Sequence, residues 1–294
     1  HQPRTNKMDD PKIDPERMKQ WKANIQPVPL DSVICGDNCE TLAAMPAESV
    51  DLVVTSPPYD DLRTYGGHEW DFYGVAWLLK RALKPGGVIV WVVGDATVNG
   101  SETGSSMTQA LHFKTIGLNL HDTMTWSKPN FSAVGALQRR YAPTSEFMFV
   151  LSKGSPKTFN PIKDRKCLTA GSAKVGTIRQ KDGTTKRKSN EGWIQPEMGQ
   201  RYNVWEIAPE TQPGHPAPFP HALASDHIQS WSNPGDIVLD PFAGSGTTLK
   251  AAKELNRRYV GIEVNPEYVK ICEERTMQES LPLYCENPTG QAQP

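Results

Sequence analysis

Apolar positions fall into short β-branched runs alternating with stretches of helical period. Val50-Asp-Leu-Val-Val54, Val88-Ile-Val-Trp-Val-Val93, Asp236-Ile-Val-Leu-Asp240 and Arg258-Tyr-Val-Gly-Ile262 predict buried strands. Ser32–Cys35, residues 118–126 and residues 146–151 predict three more. Trp70, Tyr73, Trp77, Leu78 and Ala82 recur at helical spacing, so a helix is expected over 70–83. Lys84-Pro85-Gly86-Gly87 is expected to break it. Further helices are expected at 38–45, 105–117, about 221–231, 247–255 and 266–279, with a short one possible in 15–22. Alternating strands and helices make this an α/β fold with a mainly parallel sheet. No internal repeat is present.

The alternation lapses in three places. Residues 1–30 read as a polar, Pro-interrupted N-terminal arm and 280–294 as a flexible tail. Residues 155–212 read as an insert between two halves, 31–154 and 213–279. Within it, residues 160–200 hold nine Lys or Arg against four Asp or Glu, with little apolar periodicity. The net charge of −1 decides nothing about a polyanionic partner, whereas this local excess favours one. The five cysteines match no zinc spacing, and Cys35 and Cys39 are expected to be buried thiols in a reducing compartment. No apolar run approaches the ~20 residues of a membrane span and no leader is evident, so a cytoplasmic protein is expected. Trp91, inside a strand, is expected in the core.

The candidate chemistry sits where strands end. After Asp240 comes Pro241-Phe242-Ala243-Gly244-Ser245-Gly246-Thr247-Thr248, a glycine-rich turn opening a helix. Such turns bring a ligand against free backbone N–H groups at a sheet's carboxyl edge. The third glycine of a dinucleotide fingerprint would fall at 249, which is Leu249. Asp240 at the strand tip would repel a pyrophosphate and attract a cation. S-adenosyl-L-methionine, with its sulfonium and ammonium groups, fits that description. Glu263 ends the next strand, where one carboxylate suits the two hydroxyls of a ribose.

Val50–Val54 leads directly into Thr55-Ser56-Pro57-Pro58-Tyr59. The two prolines stiffen this turn and remove two backbone donors, leaving the Ser56 hydroxyl and nearby carbonyls as acceptors. Tyr59 adds a flat face. Such a loop suits an extruded base, stacked on the ring and held by its amino hydrogens.

Taken together, these stretches resemble the β-group amino-methyltransferases of DNA, in which the catalytic motif precedes the cofactor motif. The resemblance covers residues 31–279 apart from 155–212. Gly36-Asp37 resembles the acidic position that contacts the cofactor adenine. Thr55–Tyr59 resembles the T-S-P-P-Y catalytic motif, and Lys84–Gly87 the turn before the fifth strand. Residues 215–220, with His215 and Phe219, resemble the segment lining the methionine pocket. Asp240–Thr248 resembles D-P-F-x-G-S-G-T-T. The resemblance implies a Rossmann-like methyltransferase fold and S-adenosyl-L-methionine as cofactor. Asp37, Thr55, His215, Phe219, Asp240, Phe242, Gly244, Gly246, Thr247, Thr248 and Glu263 would surround it, with a Thr247 or Thr248 hydroxyl on its carboxylate. Ser56, Pro57, Pro58 and Tyr59 would form the base pocket. Ser rather than Asp before the two prolines implies cytosine N4 as acceptor, with adenine N6 the alternative. The chain has no Pro-Cys dipeptide, which argues against cytosine C5.

The 155–212 insert lies where this group carries its target-recognition region. Arg179, Lys186, Arg187 and Lys188 are candidate phosphate contacts, as are Arg139 and Arg140 beside Tyr141. Arg179, Gln180, Asn190 and Gln195 are candidates for reading bases. The expected substrate is double-stranded DNA, taken by a monomer or homodimer, with a cognate restriction endonuclease as a possible partner. A small-molecule methyltransferase is disfavoured by the basic insert and the Ser56–Tyr59 motif, and a DNA-binding module with a decayed cofactor site by the intact Asp240–Thr248 run and Glu263; an RNA methyltransferase is the remaining reading.

Overall fold

The computed structural model describes residues 25–58, 70–129, 140–187, 192–210 and 220–277. Tyr59, Arg139, Lys188, Asn190, His215, Phe219, the 15–22 helix and most of both terminal segments lie outside the described residues.

Eight strands form one sheet: β1 (Ser32–Cys35), β2 (Val50–Thr55), β3 (Leu83–Val93), β4 (Asn119–Ser127), β5 (Ser145–Ser152), β6 (Val204–Glu206), β7 (Ile237–Asp240) and β8 (Arg258–Glu263). Their order is β1-β8-β7-β2-β3-β5-β4-β6. Only β5 runs against the rest, pairing antiparallel with β3 and β4. Among the described residues six helices accompany the sheet: α1 (Asn38–Ala44), α2 (Phe72–Ala82), α3 (Ser105–Thr115), α4 (His221–Trp231), α5 (Thr247–Glu254) and α6 (Pro266–Met277).

β2 is buried along its whole length, as a central parallel strand covered on both faces must be. Its side chains alternate between two cores. Val50 and Val53 pack with Leu42, Leu78, Leu79 and Phe113 from α1, α2 and α3. Leu52 and Val54 pack with Leu223, Ile228, Leu249 and Ala252 from α4 and α5. Trp91 is fully buried, with its indole N–H donating to Gln109 Oε1 at 2.8 Å.

Two expectations change. Lys84–Gly87 does not separate helix from strand: β3 begins at Leu83, pairs with Val50, and shifts register before Leu52 meets Val88. Gly86 makes this possible by taking φ +76° and donating to the Lys153 carbonyl. Cys39 is buried as expected, but Cys35 is exposed, because the last residue of edge strand β1 faces solvent.

The 155–212 region divides. Its ends belong to the main domain: Thr158 is buried, Asn160 Nδ2 donates to the Gln229 and Ser232 carbonyls at 3.1 Å, and Arg201 pairs with Asp226 at 2.5 Å. β6 joins the sheet beside β4, and Trp205 enters the core. Only 164–199 stands away, as two short antiparallel ladders, Arg165–Lys166 with Met198–Gly199 and Thr177–Arg179 with Thr185–Arg187. None of its described residues is buried. The insert leaves from the end of β5, which runs opposite to its neighbours, so it departs from the amino edge of the sheet.

Candidate active site

Parallel pairing brings four neighbouring strand tips to one carboxyl edge, in the order β1, β8, β7, β2. The residues at these tips are Asp37, Glu263, Asp240 and Ser56. Residues as far apart in the chain as Asp37 and Glu263, 226 positions, therefore close into one row, because adjacent strands lie ~4.8 Å apart.

β2 ends at Thr55, whose side chain is fully buried. Its hydroxyl donates to Asp240 Oδ1 at 2.6 Å, joining the two motifs across 185 residues. Asp240 also accepts from the Phe242 backbone N–H at 3.0 Å and from the Thr248 hydroxyl. Burial raises this carboxyl to about pKa 6; the Thr55, Thr248 and Phe242 bonds oppose the rise and the Glu263 charge adds to it. Among the described residues no cation pairs with Asp240 or Glu263. The acidic field extends to Cys272, whose thiol is pushed up to about 12 by burial first and by Asp240 second.

Glu263 ties the row together. Its carboxylate accepts from Gly244 N at 2.9 Å and Asn265 N at 2.8 Å, and its carbonyl accepts from Gly36 N at 3.0 Å. Each carboxylate oxygen keeps one lone pair for a further donor. Asp37, next to Gly36, caps α1 by accepting from Glu40 N at 2.9 Å and is otherwise exposed.

The 240–248 turn reads differently once folded. Gly246 takes φ +80°, and a Cβ there would come within 2.4 Å of Cys272 Sγ. This glycine therefore lets the turn pack on α6, rather than leaving room for a ligand. Arg275 of α6 holds the turn through Ser245 O at 3.0 Å and Ser245 Oγ at 2.9 Å, with Thr247 Oγ1 at 3.3 Å. Gly244 is left-handed too, φ +51°, and spends its N–H on Glu263. α5 begins with no side-chain cap, which leaves its first N–H groups for an anion. Thr247 and Thr248 are both buried, with hydroxyls engaged by Arg275 and Asp240.

Phe242 stands edge-on to Trp70 with ring centroids 4.9 Å apart, and Trp91 is 6.3 Å from it. Pro57 is buried while Ser56 and Pro58 are half-buried at the mouth. The site thus offers uncompensated carboxylates, a helix N-terminus and an aromatic wall. That set fits a molecule carrying a cation, a carboxylate and a ribose, as S-adenosyl-L-methionine does.

The described candidate DNA contacts divide between two places. Arg179, Lys186 and Arg187 lie on the exposed Thr177–Arg187 hairpin. Arg140 is at the carboxyl edge, but its guanidinium donates to Thr97 Oγ1 at 3.0 Å and the Gly100 carbonyl at 2.6 Å. It braces a hairpin, Thr97–Val98 against Ser101–Glu102, that the strand reading missed. Asn99-Gly100 at its turn was the available signal, both residues being left-handed as a two-residue I′ turn requires. Asp95 was missed as well. It accepts from Ser106 N at 2.9 Å and Ser105 Oγ at 3.1 Å, capping α3 in place of Gly104, which has no side chain to do so.

A family model described as DNA methylase matches residues 50–274. The orphan methyltransferase M.BamHII of Bacillus amyloliquefaciens is 49% identical over 237 residues, covering 77% of this chain and 88% of the relative. A solved protein of Thermus thermophilus, complexed with S-adenosyl-L-methionine, is 26% identical, covers 83% of this chain and 92% of its own, and superposes with a TM-score of 0.56. The PvuII DNA methyltransferase, cytosine-N4-specific, shares the fold with a TM-score of 0.60 at 23% identity, over 85% of this chain and 87% of its own. With the matching model spanning most of its length, and the two motifs meeting at one sheet edge, the chain belongs to the N6/N4 DNA methylase family.

Proposed function

We propose that the protein methylates the exocyclic N4 amino group of cytosine in duplex DNA, using S-adenosyl-L-methionine. The observation that carries this reading is the buried Thr55–Asp240 hydrogen bond, which sets the acceptor loop against the acidic cofactor turn. When bound, the cofactor supplies an electrophilic methyl group on a sulfonium.

The chain's own residues do the rest. Asp37 and Glu263, at adjacent tips, take the adenine and ribose end. Asp240 gives the cationic end a negative field, strengthened by the low dielectric around it. The uncapped start of α5 receives the carboxylate. The amino nitrogen of a base is a weak nucleophile, because its lone pair is delocalised into the ring. Ser56 Oγ and the Pro57 carbonyl accept its two hydrogens, localise the lone pair and aim it toward Asp240's end of the row. Tyr59 stacks on the flipped base. No covalent intermediate is needed. Ser56 stands before the two prolines where the adenine-methylating members that the chain resembles usually carry Asp, and that resemblance supports cytosine over adenine.

Incubating purified protein with labelled cofactor and unmethylated duplex DNA, then digesting to nucleosides, tests this directly. Label in N4-methylcytosine is the expected result. Label in N6-methyladenine would overturn the base assignment, and label only on RNA the substrate assignment. Ser56→Ala is expected to keep cofactor binding and lose about 10²-fold or more in turnover, the scale of removing one preorganised partner of a transition state.

A further inference from the structure

We propose that the hairpin Thr97–Glu102 is a second DNA-contacting element, a finger that meets the duplex beside the flipped base. The inference rests on the DNA-methylating reading above and assigns that site a further surface.

Its position comes first. β3 is the next strand after β2 along the carboxyl edge, with Thr55 paired to Trp91. On the other side of β2 lie β7, β8 and β1, whose tips hold the proposed cofactor residues. A duplex delivering a base to Ser56 must therefore spread toward β3. DNA grooves are about 12 and 6 Å wide, so such a duplex cannot avoid a strand tip only ~5 Å from β2. The hairpin follows β3 at that tip, with only residues 94–96 between Val93 and Thr97.

Its construction comes second. A two-residue ladder has no stability of its own. Residues 97–102 bury nothing: all are exposed, Val98 to 56%. Yet the hairpin is braced on both sides. Asp95 holds its base through Thr103, Ser105 and Ser106, and Thr103 N donates to the Ala96 carbonyl at 2.9 Å. Arg140, 40 residues further on, holds its turn at Gly100. A braced projection that buries no core of its own is suited to contact.

Its chemistry comes third. Arg140 lies 3.9 Å from Glu102 and offsets its charge, so the finger presents no net negative charge to a polyanion. The turn offers Asn99 and Ser101, neutral donors and acceptors of the kind that read base edges, and Val98, an apolar contact for a thymine methyl. Tyr141, 98% exposed, stands beside Arg140 as a flat face for a base.

Asn99→Gly removes the side chain while keeping the left-handed turn, and Tyr141→Ala removes the ring without touching the hairpin. Each is compared with wild type for KM toward unmethylated duplex DNA, cofactor affinity by calorimetry, and mass by analytical ultracentrifugation. At least one is expected to raise the DNA KM about tenfold with cofactor affinity and mass unchanged. Wild-type KM in both variants would overturn the inference while leaving the methylation reading intact. A change of assembly state would overturn it in favour of a contact between copies. Failure of wild type itself to methylate DNA would overturn the reading beneath it.

Discussion

The carboxyl-edge row and the 164–199 projection are built on opposite terms. At the row, Thr55 and Asp240 are buried, and the side chains there are pinned by named partners: Thr55 by Asp240, Asp240 by Phe242 N, half-buried Glu263 by Gly244 N. In the projection no described residue is buried, and its side chains pair at the surface, as Lys174 does over Trp193 and Arg165 over Tyr202. Methyl transfer needs groups fixed before the substrate arrives, because reorganisation during the reaction adds to the barrier. Contact with a long polyanion needs charge and adaptable surface rather than fixed depth. The fold separates these two proposed roles: the row rests on the core, and the projection leaves from the other edge of the sheet.

The sharpest way to break this contrast is at Asp240. Replacing it with Asn keeps the shape and removes the charge. We expect cofactor affinity to fall on the order of 10²-fold, combining the loss of a charge-assisted interaction with that of a buried attraction. Calorimetry measures it, and a change under about threefold would remove Asp240 from the cofactor site.

The same carboxyl gives the next largest effect. Its ordinary value is 3.8, and burial in the folded chain raises it to about 6. A raised acid favours the folded state in its protonated form. That contribution is complete below about 3.8 and is lost as pH rises through about 6. A bound cation reverses the preference by favouring the ionised form. Cofactor affinity is therefore expected to weaken about tenfold per pH unit below about 6, with uptake of cofactor releasing a proton there. Calorimetry in buffers of different ionisation enthalpy counts that proton. An affinity flat from pH 7 to pH 5 contradicts the assignment.

Legibility in the sequence follows the same contrast. Val50–Thr55 and Asp240–Thr248 were readable because a central strand must be apolar on both faces and a turn opening a helix needs its glycines. What those glycines do was not readable: Gly246 answers to Cys272, which is 26 residues away in sequence and comes close only in the fold. Thr55 was expected to touch the cofactor, yet its hydroxyl is spent on Asp240, a partner that only sheet order could reveal. β6 was lost inside a basic stretch, because three residues are too few to show a period. Asp51 went unremarked within an apolar strand. It is buried and bonded to Lys84, Lys157 and Ile237 N, an anchor at the opposite edge from the site. Ser56 itself was legible because prolines advertise a fixed backbone.

A smaller effect is expected at Thr55. Thr55→Val removes one neutral hydrogen bond to a charged acceptor and should weaken cofactor binding about tenfold. Thr55→Ser keeps the donor and should restore most of it. Equal losses in both would mean that the methyl group's packing, and not the bond to Asp240, is what matters.

The smallest effects belong to the projection, where they distinguish one face of the Thr177–Arg187 hairpin from the other. Thr185 pairs with Arg179 and Arg187 with Thr177, so the two arginines share a face with two threonines. Lys186 pairs with Ile178 and lies on the opposite face. If the arginine face meets the phosphates, Arg179→Ala weakens DNA binding by only a few-fold near 0.1 M salt. It should also reduce the slope of log affinity against log salt by about 1, one phosphate contact's share. Lys186→Ala should leave that slope near wild type, and neither change should alter cofactor affinity, since the hairpin contributes nothing to the row. Equal slope changes from both would mean that the hairpin lies within the DNA rather than against it. No change from either would move the phosphate contacts off the projection and leave the carboxyl edge to hold the duplex alone.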